Sequence, residues 1–491
     1  MGWLGKALKG SLLVVLLAWL GMAIWQSVKP LPSDVGKAWP MRSVERVSLL
    51  ADRTWYDRRG QQQLDQQIFD EAVSMIGEAR RLIVMDMFLF NRLEGQAGAR
   101  SARFRPIAER LTDALIAARQ RDPAPRIVVI TDPLNTLYGG QQVALYQRLE
   151  DAGVELVMTR LDRLRASNPL WSGLWHLGLH RLGNDSEGGW LPNAFGGEPV
   201  TLRSYLALLN FRANHRKTLT VDTPRGWSTL ISTANPHDAS SLHSNVALRI
   251  DGALAGDVIA SEAEVASWSG VEVVLPDSRE TGPGNADRRQ SSGAEARLLT
   301  EGAIRDAVLA RIEEASPGDR LDLAAFYLAH REVIAGLKRA ASRGATVRVL
   351  LDPNREAFGF SKGGLPNQPV AEELLASGVQ VRWCLTSGEQ CHSKVVLLRK
   401  EATADPSARD AVILGSANLT RRNLDNLNLE SSVEVTGREL PVIDALGQWF
   451  DLRWESPPHH RASRAWSERD ASGRLAAWRY RVMEATGLST F

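Results

Sequence analysis

One stretch of the chain lacks any polar alternation: Ser11 to Val28, where no charged residue interrupts Leu12, Leu13, Val14, Val15, Leu16, Leu17, Leu20, Ile24 and Trp25. At about 1.5 Å per residue, such a run just spans a bilayer core of about 30 Å. It predicts an uncleaved N-terminal membrane anchor over residues 1–45, with its juxtamembrane segment. A cleaved signal peptide is the rival, because Gly21-Met22-Ala23 offers small residues at cleavage spacing. Lys6 and Lys9 precede the run while Lys29, Lys37 and Arg42 follow it, so charge does not fix its orientation.

Beyond the anchor the pattern alternates between helical and strand periods. Leu64, Ile68, Phe69, Ala72, Met75 and Ile76 recur at helical spacing over Leu64 to Ala79, and the uniformly apolar run Arg81 to Phe90 predicts a buried strand. A helix over Pro106 to Arg119 then leads to a strand from Arg126 that Asp132-Pro133 ends. A third helix over Gln142 to Ala152 stops at Gly153, before the short strand Val154 to Val157. The succession then returns. Ile304 to Ala315 and Glu332 to Ser342 read as helices, and Arg320 to Tyr327 as a strand. Val347 to Asn354, with Asp352-Pro353, answers Val128 to Asn135, and Ala371 to Val381 answers Leu149 to Val157. Matching order, element type and Asp-Pro punctuation imply a tandem duplication of one α/β unit.

The expected halves are 46–275 and 296–456, joined by a Gly/Ser/Pro-rich linker over 276–295 and followed by a tail over 457–491. The tail is expected to pack on the second half and is assigned no chemistry. The first half alone carries a long insertion, about residues 160–211, rich in Trp and Leu. A loop of that length is uncommon without a task. It either dips into a membrane interface or lines an acyl-chain groove through residues such as Trp171 and Trp175, or it simply covers the core.

Composition narrows the chemistry. With 59 basic against 57 acidic side chains in 491 residues, the net charge of +2 supplies no global field for nucleic acid. Cys384 and Cys391 are the only cysteines, which excludes a disulfide scaffold and a four-cysteine zinc site. No metal or other cofactor is expected.

The candidate chemistry lies in two distant stretches. Asn214-His215-Arg216-Lys217 leads to Ser232-Thr233-Ala234-Asn235, and Cys391-His392-Ser393-Lys394 leads to Gly415-Ser416-Ala417-Asn418. In each, a histidine and a lysine two residues apart head an apolar period-two segment, which places both side chains on one face of a strand. An ammonium and a carboxamide donate to anionic oxygens, and an imidazole can attack or protonate, so each stretch is half of a phosphate site.

These residues resemble the phospholipase D superfamily, whose signature is H-x-K, four residues, D, then a small-residue turn with Asn. The first copy matches at His215, Lys217 and Asp222; the second matches at His392, Lys394, Gly415, Ser416 and Asn418, with Arg399 in place of the Asp. The resemblance spans nearly all of 46–455 and implies an α/β fold: tandem pseudo-symmetric αβα sandwich halves preceded by one transmembrane helix, with both motifs at the interface. It implies a phosphohistidine mechanism in which His215 attacks phosphorus and His392 does the acid/base work, while Lys217, Lys394, Asn235 and Asn418 hold the phosphoryl oxygens. No metal is then needed. Glu430 stands where a carboxylate would orient one histidine, and Asn245 occupies the matching place in the first half, so the histidine paired with Asn245 should have the lower proton affinity. Thr233 replaces the family's serine and keeps a hydroxyl, as Ser416 does.

His176, His180, His237, His243, His330, His459 and His460 read as ordinary surface or core histidines, and Asp132 and Asp352 as turn formers. Cys384 and Cys391 bracket a turn before His392; exported, they can form a disulfide bracing it, and in cytosol they would be free thiols. The expected substrate is a phospholipid at the bilayer, with water or an alcohol as acceptor. The enzyme is expected to act as a monomer, at a bacterial-type inner membrane with its catalytic part in the periplasm. Nucleic acid is not the expected partner, although a membrane-tethered nuclease is the runner-up. A catalytically weakened lipid-binding protein, suggested by Arg399 and Asn245, is the third reading.

Overall fold

The computed structural model describes residues 2–95, 98–273, 293–357, 360–361, 363–401 and 408–489. Two mixed sheets organise the chain. The first has eight strands in the order Gln62–Asp65, Arg46–Tyr56, Asn245–Asp251, Gly226–Ser232, Lys217–Thr223, Leu82–Met87, Arg126–Thr131 and Glu155–Met158. The second has nine, in the order Arg42–Ser43, Glu295–Thr300, Ser431–Gly437, Asp410–Gly415, Lys394–Arg399, Arg320–Ala325, Thr346–Leu351, Gln380–Cys384 and Ser463–Ala465. From Arg46–Tyr56 and from Glu295–Thr300 onward, the two orders run in step, with the same chain order and the same parallel and antiparallel pairings. The duplication read from the Asp-Pro repeat is thus a duplication of topology.

In both halves the strand that begins with the motif lysine is central and antiparallel to both neighbours. Both strands are buried; Lys394–Arg399 is mainly apolar, whereas Lys217–Thr223 carries Lys217, three threonines and Asp222 among its buried side chains. One apolar cluster draws on both sheets: Ile231, Val246, Leu248 and Ile250 from the first pack with Val412, Leu414, Val433 and Val435 from the second. Each such buried side chain contributes roughly 1.5–3 kcal/mol relative to exposure. The halves therefore share a core, and the histidine motifs sit at its edge.

One sequence expectation shifts, at the start of the first helix after the anchor. Leu64 belongs to a strand, Gln62–Asp65, paired with Thr54 across a hairpin, and the helix begins at Ile68. Its start is set from a distance: the buried Asp52 carboxylate accepts from the N–H groups of Gln67 at 2.8 Å and Ile68 at 3.0 Å. The linker expected over 276–295 falls, for residues 276–292, outside the described residues.

The N-terminal helix, Gly2–Val28, is long and apolar enough to cross a bilayer, and its residues 5–18 are exposed. Its last turns meet the insertion. Trp19 Nε1 donates to the Leu170 carbonyl at 2.8 Å, and Ala166 N donates to the Gln26 carbonyl at 2.9 Å. Gly173, on the insertion helix Pro169–Leu177, approaches so closely that a Cβ there would lie 2.9 Å from Ala23 N. The membrane or acyl contact expected of Trp171 and Trp175 is not where these rings point. Trp175 is 7% exposed beneath the Arg203 guanidinium, and Trp171 Nε1 is tied to the Leu206 carbonyl at 3.0 Å. Helical geometry buries Trp175, leaves Trp171 half-buried and sets Leu170, Leu174 and Leu177 outside. The tail does pack on the second half, adding the edge strand Ser463–Ala465 and a helix, Arg474–Thr486, whose Tyr480 is fully buried.

Candidate active site

Each motif histidine is held by the opposite half. His215 N donates to Leu429 O at 2.8 Å, and its ring Nδ1 lies 3.0 Å from the Glu430 carboxylate. His392 N donates to Ser244 O at 2.8 Å, and its Nδ1 lies 3.0 Å from Asn245 Oδ1. The acceptors expected at 430 and 245 are thus present and crossed. A carbonyl or carboxylate acceptor at Nδ1 fixes the Nδ1–H tautomer and leaves Nε2 as the reactive nitrogen.

Behind each acceptor stands a hydroxyl from the small-residue turn: Thr233 Oγ1 donates to Asn245 at 3.0 Å, and Ser416 Oγ donates to Glu430. The motif turns therefore serve two ends, since Asn235 and Asn418 line the cavity one turn further on. In both of these the carboxamide oxygen is buried without a hydrogen-bond partner. Lys217 and Lys394 lie behind the cavity wall, each with its ammonium donating to the carbonyl of its own motif histidine, at 2.5 and 2.7 Å.

The electrostatics follow from burial. Burial pushes His215 down to about 4 despite the opposing pull of Glu430, and it pushes Lys217 down to about 7. His392 falls well below its usual value through burial and the Lys394 charge, with no carboxylate to offset them. Burial would lift Glu430, but His215, Lys217 and the Ser416 hydroxyl keep it below the usual carboxylate value. His392 is thus the histidine paired with Asn245, and its proton affinity is lowered without a carboxylate to oppose the fall.

Several participants were not evident beforehand. Phe88 and Phe326 follow the two matching strands and set their rings 4.8 and 5.0 Å from His215 and His392; the shared position in the repeat was the available signal. Asp132 and Asp352 do cap their turns, at Leu134 N and Asn354 N, both 2.7 Å. Their second oxygens also accept from the N–H groups just before each histidine, Asn214 at 2.6 Å and Cys391 at 2.7 Å. Burial raises both carboxyls to about 7. Cys384 and Cys391 form a disulfide that closes this turn next to His392.

The two residues at the motif Asp position, Asp222 and Arg399, are structural. Asp222 Oδ1 accepts from Arg81 N at 2.8 Å and Leu82 N at 2.9 Å, fastening the neighbouring strand. Arg399 instead pairs with Asp322 at 2.6 Å and Asp451 at 3.3 Å, in a network with Arg348. Neither touches the histidines.

Both histidines open on one cavity of about 370 Å³. Phe88, Leu89, Phe326, and Phe195, Leu208 and Phe211 from the insertion give it apolar walls. Among the described residues, no cluster of histidine, cysteine and carboxylate side chains is arranged to hold a metal ion.

A family model described as the cardiolipin synthase phospholipase D-like domain matches residues 308–454. The crystal structure of phosphatidylserine synthase from Haemophilus influenzae superposes with a TM-score of 0.54 at 11% identity, covering 93% of this chain and 97% of that one. Polyphosphate kinase from Porphyromonas gingivalis aligns at 14% identity and a TM-score of 0.47, covering 90% of this chain, which spans about half (54%) of the kinase. The phospholipase D family member Nuc from Salmonella typhimurium aligns at 19% identity and a TM-score of 0.26, over 35% of this chain and 99% of its own. No curated protein matches the chain by sequence. Residues 308–454, within the second half, thus match a phospholipase D-like domain of the cardiolipin synthase type, and the whole chain shares its fold with the phosphatidylserine synthase structure.

Proposed function

We propose that the protein is a membrane-anchored phosphodiesterase or phosphatidyltransferase acting on phospholipids through a phosphohistidine at His215. The observation that carries this reading is the placement of two oppositely held histidines on one apolar-walled cavity. His215 is the better nucleophile of the pair. Burial keeps its ring neutral, and Glu430 stabilises the positive charge that Nδ1–H acquires once Nε2 bonds to phosphorus. As that bond forms, the bond from phosphorus to the departing alcohol breaks, and His392 gives that oxygen a proton. Burial and Lys394 hold His392 neutral; a bound phosphodiester anion supplies the opposing charge, so the acid becomes protonated together with substrate binding. In the second step His392 removes a proton from water or an alcohol, whose oxygen attacks phosphorus and releases His215. Asn235 and Asn418 on the cavity wall meet the phosphoryl oxygens, and Lys217 and Lys394 behind it stabilise the charge that builds up in the five-coordinate transition state.

The apolar walls offer acyl chains a surface to lie against, which supports a phospholipid substrate. The last turns of the apolar helix adjoin the insertion that roofs the cavity, which brings the site to the membrane. The Cys384–Cys391 disulfide favours an oxidising compartment, hence a periplasmic catalytic part. Both motifs lie in one chain, so a monomer suffices. The test incubates full-length protein in vesicles with labelled phosphatidylglycerol, phosphatidylcholine and single-stranded DNA, beside a His215→Ala control. Lipid turnover with an acid-labile phosphoryl label on the wild-type chain is expected. Cleavage of DNA alone would overturn the proposal.

A further inference from the structure

The cavity wall holds two guanidinium groups that the chemistry above does not use. Arg212, three residues before His215, is 5% exposed. Its Nη2 donates to Gln26 Oε1 at 2.6 Å, its Nη1 lies 3.5 Å from His176 Nε2, and its Nε is buried without a partner. Arg422, from the short helix Arg421–Leu424 of the second half, donates to the carbonyls of Gly487 and Ser489, and its Nε too is buried without a partner. Its guanidinium lies over the Phe211 ring at 5.0 Å, which brings it beside the residue preceding Arg212. Neither arginine forms an ion pair among the described residues. The one carboxylate in the wall is Asp132, whose oxygens are taken by backbone N–H groups.

Burying a guanidinium without an anion is costly, and a polar atom left unpaired adds to that cost. The anion of one phosphodiester does not answer this, because the histidines, lysines and asparagines already receive it. A second anionic group in the same cavity does. Arginine suits a phosphate, which its planar fork meets with two hydrogen bonds.

We propose that Arg212 and Arg422 form a second phosphate subsite in the catalytic cavity, filled by a phosphate carried on the alcohol side of the reaction, whether on the departing headgroup or on the accepting alcohol. This rests on the phosphodiester reading above. Its position says where the ligand comes from. Gln26, which orients Arg212, lies in the last turn of the apolar helix, and the same Oε1 accepts from Lys29 Nζ at 3.0 Å. The subsite is therefore level with the point where that helix leaves the apolar layer, the depth at which lipid phosphates sit.

The experiment uses full-length protein in vesicles of phosphatidylcholine as labelled donor, with four acceptors: water, ethanol, glycerol 3-phosphate and phosphatidylglycerol. For Arg212→Gln and Arg422→Gln, the KM for a phosphate-bearing acceptor should rise at least about ten-fold more than the KM for ethanol, the effect of losing one charged hydrogen bond. Arg212→Lys should recover part of that difference. A loss confined to phosphatidylglycerol assigns the subsite to a lipid phosphate, and a loss shared by glycerol 3-phosphate assigns it to any phosphate-bearing alcohol. Equal losses for ethanol and the phosphate-bearing acceptors, or no loss, would overturn the proposal. A second measurement separates it from the reaction itself. Equilibrium dialysis with radiolabelled inorganic phosphate should find two sites per chain in His215→Ala protein, and one after Arg212→Gln and Arg422→Gln are added. A single site before those changes would overturn the subsite even if the enzyme turns over lipid. Two sites without any lipid turnover would keep the subsite and remove the proposed reaction.

Discussion

Asn245→Asp tests the division of labour between the histidines. The substitution is isosteric, so Oδ1 stays 3.0 Å from His392 Nδ1 and within reach of the Thr233 hydroxyl. It adds one negative charge. At about 4 Å between charge centres and an effective dielectric constant of about 20, the attraction to an imidazolium is about 4 kcal/mol. The new carboxylate is itself buried, at a site 2% exposed, and has fewer donors than Glu430, which takes hydrogen bonds from Ser416, Asn423 and His215. Part of the attraction is lost to that desolvation, and the remainder raises the His392 pKa. A general acid must be protonated, and its contribution fades as pH climbs through its pKa. Raising the His392 pKa should therefore move the descending limb of the kcat profile to higher pH by the same amount, while the limb governed by His215 stays in place. The assay is a pH–rate profile on vesicle-borne phospholipid, with a melting curve at each pH to separate unfolding. An unmoved descending limb, or a shift of the ascending limb instead, would refute the assignment of His392 as the acid.

Three further outcomes are expected. Arg399→Asp restores the family's residue but sets a third carboxylate against Asp322 and Asp451, and should cost about 3 kcal/mol of unfolding free energy in denaturant titration; an unchanged midpoint would mean the ion pairs at 2.6 and 3.3 Å are idle. Cys384→Ser opens a short loop between cysteines seven positions apart, and the loop-closure estimate gives a loss of about 2.5 kcal/mol, with reductant lowering the wild-type melting point and leaving the variant untouched. Gly173→Leu cannot fit against Ala23 N at 2.9 Å without parting the insertion helix from the membrane helix. It should reduce turnover of vesicle-borne lipid several-fold more than cleavage of a water-soluble diester such as bis(p-nitrophenyl) phosphate, and equal losses would restrict that contact to holding the fold.

What the sequence revealed follows from what covalent spacing can carry. The H-x-K spacing stands where each apolar period-two strand begins, at Lys217 and Lys394, and the Asp-Pro repeats mark strand ends for local reasons, so motif and duplication were both visible. Element starts fixed from elsewhere were not. The helix at Ile68 begins where Asp52 supplies the cap, and Leu64 pairs with Thr54 against its helical spacing. Asp132 looked like a turn former and is one; its tie to Asn214, across 82 positions, depends on how two loops meet. Arg212 was passed over because its surroundings come from Gln26, which lies 186 positions away. Trp171 and Trp175 were visible as a Trp-rich feature, but which helix face they occupy depended on the partner helix, and Ala23 against Gly173 left Trp175 buried and Trp171 half-buried.

The crossed pairing gives the asymmetry of the two halves a direction. Asn245 belongs to the first half and holds the histidine of the second, whereas Glu430 belongs to the second half and holds the histidine of the first. A substitution at either acceptor therefore tunes chemistry in the half that did not change. Losing a carboxylate at 245 leaves the first motif, His215 to Asp222, complete and lowers the proton affinity of His392 alone. The same reasoning explains why Arg399 coexists with an intact site. That position fastens a strand within its own half, through Asp322 and Asp451, and has no path to either Nδ1. Of the two departures from the family pattern, then, the one at the acceptor reaches the chemistry and the one inside the motif does not. Because the acceptor of one histidine is charged and that of the other is neutral, exchanging the roles of His215 and His392 would put the phosphorylated, positively charged ring beside an amide, where nothing offsets its charge.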